Sequence, residues 1–458
     1  MKVIIKNLGN VESGEIDLSK RLTVFCGPNN TGKTYVSYIL YSLIKTQYYY
    51  DDRSNLDLSK VFTEGEVSIE IDLDNLIKYR KNKIHSITNS LESIFGISDS
   101  DKLSLFKSLE LKYGVSDREF SNSIKDIQLN FSFEWSEMSF IVKKEKGSTL
   151  VIVKRSDAIA SVPEDDYFFS WRLKYEVYER LVNYPFAKSC IFPVERNSIY
   201  TFNKELSIQR HELIEQMQAL KDNRKIGYDS VDRLLGRSTR YPLAIRDCLS
   251  VANDLNNLKK QKSEYAFFAE TLEQRLLGGK IAVSKEGEVE FVPKRGQRLP
   301  IHLSASIVKT LSSLTFYLKH LAVRGDLIII DEPEMNLHPD AQVLLARIFG
   351  QMVNEGLNLL ISTHSDYIIR ELNNLITLGS ITERDALMDE LNYSEKEVLK
   401  AEDVSVYLFK PRRRNSRVST IVSVPIKKDG FSMDTIDEVI YELNSNSDRI
   451  TYKLQYNE

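Results

Sequence analysis

Cysteine is scarce in this chain of 458 residues, which contains only Cys26, Cys190 and Cys248. These residues are widely spaced, and they form neither a CxxC pair nor a zinc-ligand spacing. The sequence therefore supports neither a disulfide framework nor a metal knuckle. We expect three buried free thiols.

Long apolar runs and an excess of one charge are also missing. No stretch approaches the roughly 18 apolar residues of a membrane span, and charges and a glycine interrupt the N-terminal run MKVIIKNLGNVESG before a signal peptide could form. The formal net charge is -3, with 42% hydrophobic and 28% charged residues. We expect a folded cytoplasmic protein of two or three domains with no membrane association, in which any nucleic-acid surface is a local basic patch.

A glycine-rich segment, GPNNTGKT, occupies residues 27–34 and matches the pattern GxxxxGK[ST]. It lies between an apolar strand, Leu22 to Cys26, and a helix-like run, Tyr35 to Ile44, which is the context that a phosphate-binding loop requires. Backbone N–H groups of such a loop surround phosphate, the lysine reaches the outer phosphates, and the following hydroxyl binds Mg²⁺. The predicted nucleotide-binding residues here are Gly27, Asn29, Asn30, Thr31, Gly32, Lys33 and Thr34.

A magnesium carboxylate is expected at the end of a second buried strand, and DLIIIDEPEMNLHP supplies it far downstream. There Leu327 to Ile330 lead into Asp331, predicted to hold the metal with Thr34, and Glu332, predicted to be the general base. The long separation predicts a nucleotide core assembled from both ends of the chain.

A third apolar strand, Leu357 to Ile361, ends in Ser362, Thr363 and His364. A histidine at the carboxyl end of a strand beside a phosphate loop can contact a γ-phosphate. We therefore predict His364 as a catalytic residue together with Lys33 and Glu332.

The order of these segments resembles the ABC-type ATPase head shared by SMC, RecF and OLD proteins, over residues 1–50 and 300–375. The resemblance implies an α/β ABC-type head that binds ATP and Mg²⁺ and hydrolyses ATP to ADP and phosphate. We expect a P-loop core assembled from both ends of the chain, an antiparallel β lobe and an inserted short helical arm. The predicted domains are 1–202, the N-terminal half with the β lobe; 203–280, the arm; and 281–458, the C-terminal half.

In this family ATP is sandwiched between two heads, and a signature motif from one head completes the site on the other. HLSASIVKTL stands in the signature position, which implies that Ser304 and Ser306 contact ATP; an ordinary helix N-cap is the alternative. Similarly, FPVERNS resembles a P-x-E-R stretch of OLD-like heads, which implies that Glu195 and Arg196 lie near metal and phosphates. A surface ion pair is the alternative for them. NLHPDAQ, Asn336 to Gln342, follows as the D-loop, expected to contact the opposed subunit.

No DxD motif follows His364, so we expect no nuclease domain in this chain. The head-only layout resembles the AAA15 group of phage-defence ATPases, in particular the ATPase subunits of PARIS anti-phage systems. That resemblance implies a homo-oligomeric scaffold that holds a separate TOPRIM nuclease effector. It also implies release of the nuclease when a phage-encoded acidic protein that mimics DNA is sensed.

A basic turn is predicted within the hairpin VSVYLFKPRRRNSRVSTIVSV, and its basic residues are Lys410, Arg412, Arg413, Arg414 and Arg417. It is a candidate receiver of an acidic trigger or of nucleic acid, the alternative being a solvated turn. The other function that we weigh is a RecF- or SMC-like ATPase that binds DNA directly in repair.

Overall fold

The computed structural model describes residues 1–46, 58–135, 138–156, 166–202, 241–413, 416–432 and 434–456. Its strands are β1 (Lys2–Leu8), β2 (Val11–Asp17), β3 (Leu22–Cys26), β4 (Glu66–Glu70), β5 (Glu110–Tyr113), β6 (Leu129–Trp135), β7 (Met138–Lys144), β8 (Leu150–Arg155), β9 (Ser189–Phe192), β10 (Gly279–Val283), β11 (Val289–Pro293), β12 (Leu299–Pro300), β13 (Leu327–Asp331), β14 (Asn358–Ser362), β15 (Val404–Pro411) and β16 (Ser419–Val424).

The α-helices of the described residues lie between groups of these strands along the chain. They are α1 (Lys33–Lys45), α2 (Ser59–Thr63), α3 (Leu73–Asn89), α4 (Leu91–Phe95), α5 (Asp99–Leu105), α6 (Asp117–Ile124), α7 (Asp166–Asn183), α8 (Leu243–Asn253), α9 (Leu255–Leu258), α10 (Ala266–Leu272), α11 (Ser306–His320), α12 (Pro339–Asn354), α13 (Asp366–Ser380), α14 (Asp385–Leu391) and α15 (Asp434–Tyr456). A π-helical turn (Glu273–Leu277) follows α10, and 3-10 turns cover Ile301–Leu303, Glu395–Glu397 and Ala401–Asp403.

A nine-stranded mixed sheet, in the order β5-β1-β2-β16-β15-β3-β14-β13-β9, forms the centre of the molecule. The five strands from β15 to β9 run parallel to one another, and β3 from the N-terminal part pairs directly with β14 and β15 from the C-terminal part. The remaining pairs are antiparallel except for β16 with β2. The predicted α/β head, with its core assembled from both ends of the chain, is confirmed.

Both faces of the parallel strands are buried, which explains why β3, β13 and β14 are apolar without alternation. On one face Phe25 and Ile329 pack with residues of α1. On the other face Val24 and Ile330 pack with residues of α11, α12 and α13. Helices on both sides therefore fix the strand ends from which the phosphate loop and the acidic residues emerge.

The predicted antiparallel β lobe is a separate four-stranded sheet in the order β4-β8-β7-β6. Aromatic residues from this sheet and its helices, among them Phe62, Phe140 and Phe169, pack in its core. In the same part of the chain Lys83, only 1% exposed, donates to Glu179 and to Asn183. A strand from the same part of the chain, β5, joins the large sheet instead.

The predicted helical arm falls partly on residues 203–240, which lie outside the described residues. The remainder, 241–280, packs against the head: Leu249, Phe268 and Leu272 belong to the same hydrophobic cluster as Val24 of β3. The domain boundaries stay a prediction.

Cys26 is buried, whereas Cys190 and Cys248 are partly exposed, and all three are free thiols. The expectation of full burial is therefore right for Cys26 alone. Among the helices of the described ranges, none combines the length and the apolar character needed to cross a membrane.

Candidate functional site

The phosphate loop begins where β3 ends, and two of its positions accept only glycine. Gly27 has φ 129° and Gly32 has φ 94°, conformations that side chains disfavour. A Cβ at Gly27 would lie 2.5 Å from the carbonyl oxygen of Phe409, and a Cβ at Gly32 would lie 2.5 Å from Cγ2 of Val11. Close packing against β15 and β2 therefore fixes both glycines.

The start of α1 is open towards the loop. Gly32 is its N-cap residue and no side chain caps the helix, so the first-turn N–H groups remain available to an anion. Thr31 Oγ1 donates to Pro28 O at 2.8 Å, which closes the loop on itself. Asn29 and Asn30 are exposed, and Asn30 has a left-handed backbone, φ 62°.

Lys33 is the first residue of α1, and its side chain reaches back to the start of the loop. Its Nζ donates to Gly27 O at 3.0 Å and to Pro28 O at 2.9 Å. Burial lowers the pKa of Lys33 to about 8, and the negative charge of Asp331 opposes that shift. A desolvated ammonium group thus stands where a polyphosphate would neutralise it.

Thr34 and Asp331 are joined although they come from opposite ends of the chain. Thr34 Oγ1 donates to Asp331 Oδ2 at 2.8 Å, and Ser362 Oγ donates to Asp331 Oδ1. A hydroxyl and a carboxylate are suitable Mg²⁺ ligands, and Mg²⁺ in nucleotide sites takes its other ligands from phosphates and water. In the described part of the chain, no group of three or more His, Cys, Asp or Glu residues could hold a metal alone.

Glu332 follows Asp331 in a left-handed conformation, φ 48°. Its N–H donates to Ser362 O at 2.9 Å, which orients the turn after β13. Partial burial and the neighbouring Asp331 raise the pKa of Glu332. A carboxylate with a raised pKa at this position can accept a proton from water.

His364 lies beside Glu332, with 3.9 Å between His364 Nε2 and Glu332 Oε1. Burial, assisted by Lys33, lowers the pKa of His364 to about 4, so the imidazole is neutral at physiological pH. It can then donate a hydrogen bond without adding charge. The structure therefore brings Lys33, Glu332 and His364 to one edge of the sheet.

Arg196 is almost fully buried, only 2% exposed, behind the acidic pair. Its NH1 donates to Pro193 O at 3.0 Å and to Asp331 O at 2.5 Å, and its NH2 donates to Glu332 O at 2.6 Å. The guanidinium thus holds the main chain that presents the carboxylates, and it is no surface ion pair. Glu195, in contrast, is exposed.

Glu334 was missed by the sequence reasoning, although it stands in the quoted segment DEPEMN. One of its oxygens, Oε1, accepts from the N–H of His364 at 2.6 Å, and Oε2 accepts from Thr363 Oγ1 at 3.0 Å. Burial raises the pKa of Glu334. This side chain fixes the loop that carries His364. The second glutamate of DEPE, two residues after Glu332, is the available signal.

The two predicted signature serines differ in their surroundings. Ser304 is buried and its Oγ donates to Ile301 O at 2.6 Å, whereas Ser306 is exposed at the start of α11. Within the described ranges, no hydrogen bond joins either serine to the phosphate loop. The D-loop is linked to α11, because Asn336 Nδ2 donates to Thr310 Oγ1 at 3.3 Å.

A family model described as AAA ATPase domain, AAA_15, matches residues 1–369. Among solved structures, the chain is similar to an SMC head domain from Thermotoga maritima, with 10% identity and a TM-score of 0.34 over 93% of this chain and 98% of that chain. It is also similar to an Smc head domain with an extended coiled coil, bound to the C-terminal domain of ScpA and derived from Pyrococcus furiosus, with 12% identity and a TM-score of 0.33 over 97% and 98% of the two chains. No curated protein matches. The family match spans well over half of the sequence, and the chain therefore belongs to the AAA_15 family of AAA ATPase domains.

Proposed function

We propose that this ATPase is the regulatory scaffold of an anti-phage system of the PARIS type. In this proposal it holds a separate TOPRIM nuclease and releases it when a phage-encoded acidic protein is sensed. The ATPase class follows from the family match. The identity of the system comes from the resemblance to head-only phage-defence ATPases.

In the proposed hydrolysis, Glu332 accepts a proton from the water that attacks the γ-phosphorus, and the bond to the ADP oxygen breaks with its electron pair. Lys33 and the first-turn N–H groups of α1 bind the phosphates. Thr34 and Asp331 would hold Mg²⁺, which supplies neutralisation of phosphate charge when bound. Neutral His364, held by Glu334, donates to the γ-phosphate.

The exposed start of α11 is the observation that carries the proposed oligomer. Ser306 is exposed at a helix N-terminus that no side chain of the described residues caps, and such a terminus suits an anion. We propose that it binds the nucleotide of an opposed copy, so that ATP joins two subunits. Thr310 on the same helix contacts Asn336, which would connect this contact to the D-loop.

Two variants test the division of roles. Lys33→Ala is expected to abolish ATP binding, because the desolvated ammonium is lost. Glu332→Gln is expected to retain binding and to trap an ATP-bound assembly, because the general base alone is removed. Isothermal titration with ATP distinguishes the variants, and an equal loss of affinity in both would refute the assignment.

The native mass of the Glu332→Gln protein, purified with ATP from its own operon, tests the scaffold. A large assembly that contains a second protein with nuclease activity would support the proposal. A bare dimer that gains mass only with added DNA would instead support the second candidate, a RecF- or SMC-like DNA-repair ATPase. In that candidate the basic residues of the β15–β16 hairpin would contact DNA, and steep weakening of binding by salt would accompany the contact.

A further inference from the structure

The segment 404–428 contains no Asp or Glu, although the chain as a whole has a net charge of -3. Its basic residues are Lys410, Arg412, Arg413, Arg414, Arg417, Lys427 and Lys428. Arg414 lies outside the described residues. We use the name basic hairpin for the exposed residues Lys410, Arg412, Arg413, Arg417, Val418 and Val422 at the end of β15 and the start of β16.

The charges of the basic hairpin are largely uncompensated. Arg412 NH1 lies 3.1 Å from Glu12 Oε1. Considering only the described residues, Lys410, Arg413 and Arg417 have no carboxylate within ion-pair distance. A concentration of exposed arginines attracts anionic groups, which guanidinium binds with two parallel hydrogen bonds.

Both strands of this hairpin contact the phosphate loop. On the β15 side, Phe409 O packs against Gly27 so closely that a Cβ there would lie 2.5 Å away. On the β16 side, Ser419 is fully buried, and its Oγ donates to Thr31 O at 2.6 Å. A displacement of the hairpin would therefore move Gly27 and Thr31 of the loop together.

A third element reinforces this connection. The N–H of Ser419 donates to Asn10 O at 2.8 Å, and Asn10 Nδ2 donates to Asn30 O at 3.1 Å and to Asn30 Oδ1 at 3.2 Å. The turn between β1 and β2 thus bridges the hairpin and the exposed tip of the loop. The β1–β2 turn and the hairpin together support the outer side of the phosphate loop.

The size and composition of the basic hairpin indicate the kind of partner. Duplex DNA presents phosphates along its whole length, whereas the basic hairpin is confined to the end of β15 and the start of β16. Val418 and Val422, 40% and 46% exposed, lie on the same hairpin. Arginine combined with apolar contact area is typical of protein interfaces, so a protein fits this surface better than a phosphate backbone.

We propose that the basic hairpin binds an acidic segment of another protein, and that Ser419 couples this binding to the phosphate loop. The inference rests on the proposed function, because it assigns the place where that function receives its acidic trigger. By linkage, the nucleotide and the acidic partner must alter each other's affinity by the same factor.

The probe is a fluorescein-labelled glutamate-rich peptide, whose binding to the full chain is followed by fluorescence anisotropy with and without a non-hydrolysable ATP analogue. We expect the analogue to change the affinity for the peptide by about fivefold. The reciprocal titration must give the same factor. A short DNA duplex of matched charge is the competing probe.

Two double variants with the same charge change locate the surface. Arg413→Glu with Arg417→Glu is expected to weaken peptide binding by about tenfold or more. Lys427→Glu with Lys428→Glu, outside the basic hairpin, should change it by less than about twofold. Ser419→Ala should retain peptide binding and lose its dependence on the nucleotide, with thermal melting used to verify folding of each variant.

The outcomes separate the two proposals. Each of four results would overturn the inference. The peptide does not bind, both double variants lose the same affinity for it, the DNA duplex binds more tightly than the peptide, or binding in Ser419→Ala still depends on the nucleotide. If the Glu332→Gln assembly nevertheless contains a nuclease, the proposed function stands without the hairpin assignment. If the peptide binds as expected and no nuclease co-purifies, the proposed function fails.

Discussion

Replacement of Arg196 by methionine tests whether this buried guanidinium positions the catalytic turn. Three main-chain carbonyls, those of Pro193, Asp331 and Glu332, accept from it at 2.5 to 3.0 Å. Methionine has a similar length and fills the space without donating. Arg196→Lys, which keeps the charge but not the planar set of donors, is the matched control.

The expected loss of stability follows from these contacts. The carbonyls of Asp331 and Glu332 lose the guanidinium donor at a cost of about 1–2 kcal/mol each, or roughly 2–4 kcal/mol together, whereas Pro193 O keeps the main-chain N–H of residue 196 at 3.1 Å. Burial lowers the pKa of Arg196 to about 10, so holding this charge is itself unfavourable, and its removal returns about 1–2 kcal/mol. We expect a net decrease of about 1–2 kcal/mol in the free energy of unfolding, measured by urea denaturation.

The same variant should slow hydrolysis more than it weakens binding. The left-handed backbone of Glu332 is held by Arg196, and such a conformation costs about 1–3 kcal/mol when it is unsupported. Relaxation of the turn would move the general base, and we expect kcat to fall about tenfold to a hundredfold. Lys33 is untouched, so affinity for a fluorescent ATP analogue should change little.

A methionine variant with an unchanged free energy of unfolding and an unchanged kcat would refute this reasoning. A variant that loses ATP affinity and kcat equally would also contradict it, because Arg196 would then act on the nucleotide directly. Arg196→Lys should fall between the wild type and Arg196→Met, since an ammonium group can donate to some of the three carbonyls.

Three further predictions follow from buried charged groups. Glu334→Gln should reduce kcat about tenfold in steady-state assays with little change in ATP affinity, because loss of one hydrogen bond that holds the His364 loop costs about 1–2 kcal/mol. An unchanged kcat would contradict this prediction. ATP affinity measured by titration should decline about tenfold per pH unit above pH 8, because phosphate binding needs protonated Lys33 and its pKa in the free protein is about 8. Lys33→Arg should remove this dependence of ATP affinity on pH. In the β lobe, Lys83→Met should lower the free energy of unfolding by about 3–5 kcal/mol in urea titrations, since it leaves buried Glu179 without its cation. The double variant Lys83→Met with Glu179→Leu should recover part of this loss. If the double variant shows the full loss, the ion pair is not its cause.

Local sequence determined the elements that carry the chemistry. The two glycines of GPNNTGKT predict a phosphate loop because only glycine tolerates the required backbone. The apolar runs before Asp331 and His364 predict buried strands because parallel strands are covered on both faces. These patterns depend on neighbours a few residues away. The predicted strand at 22–26 agrees with β3. The strand predicted at 327–330 is one residue longer in the structure, because β13 includes Asp331.

Tertiary structure alone decided the distant contacts that no motif predicts. The hydrogen bond from Ser419 to Thr31 spans 388 residues, and the one from Arg196 to the Asp331 carbonyl spans 135. Neither serine nor arginine has a sequence pattern that identifies such a partner, because the pairing depends on strand order and on packing between both ends of the chain. The sequence predicts what each strand end can do, and the sheet order determines which strand ends act together.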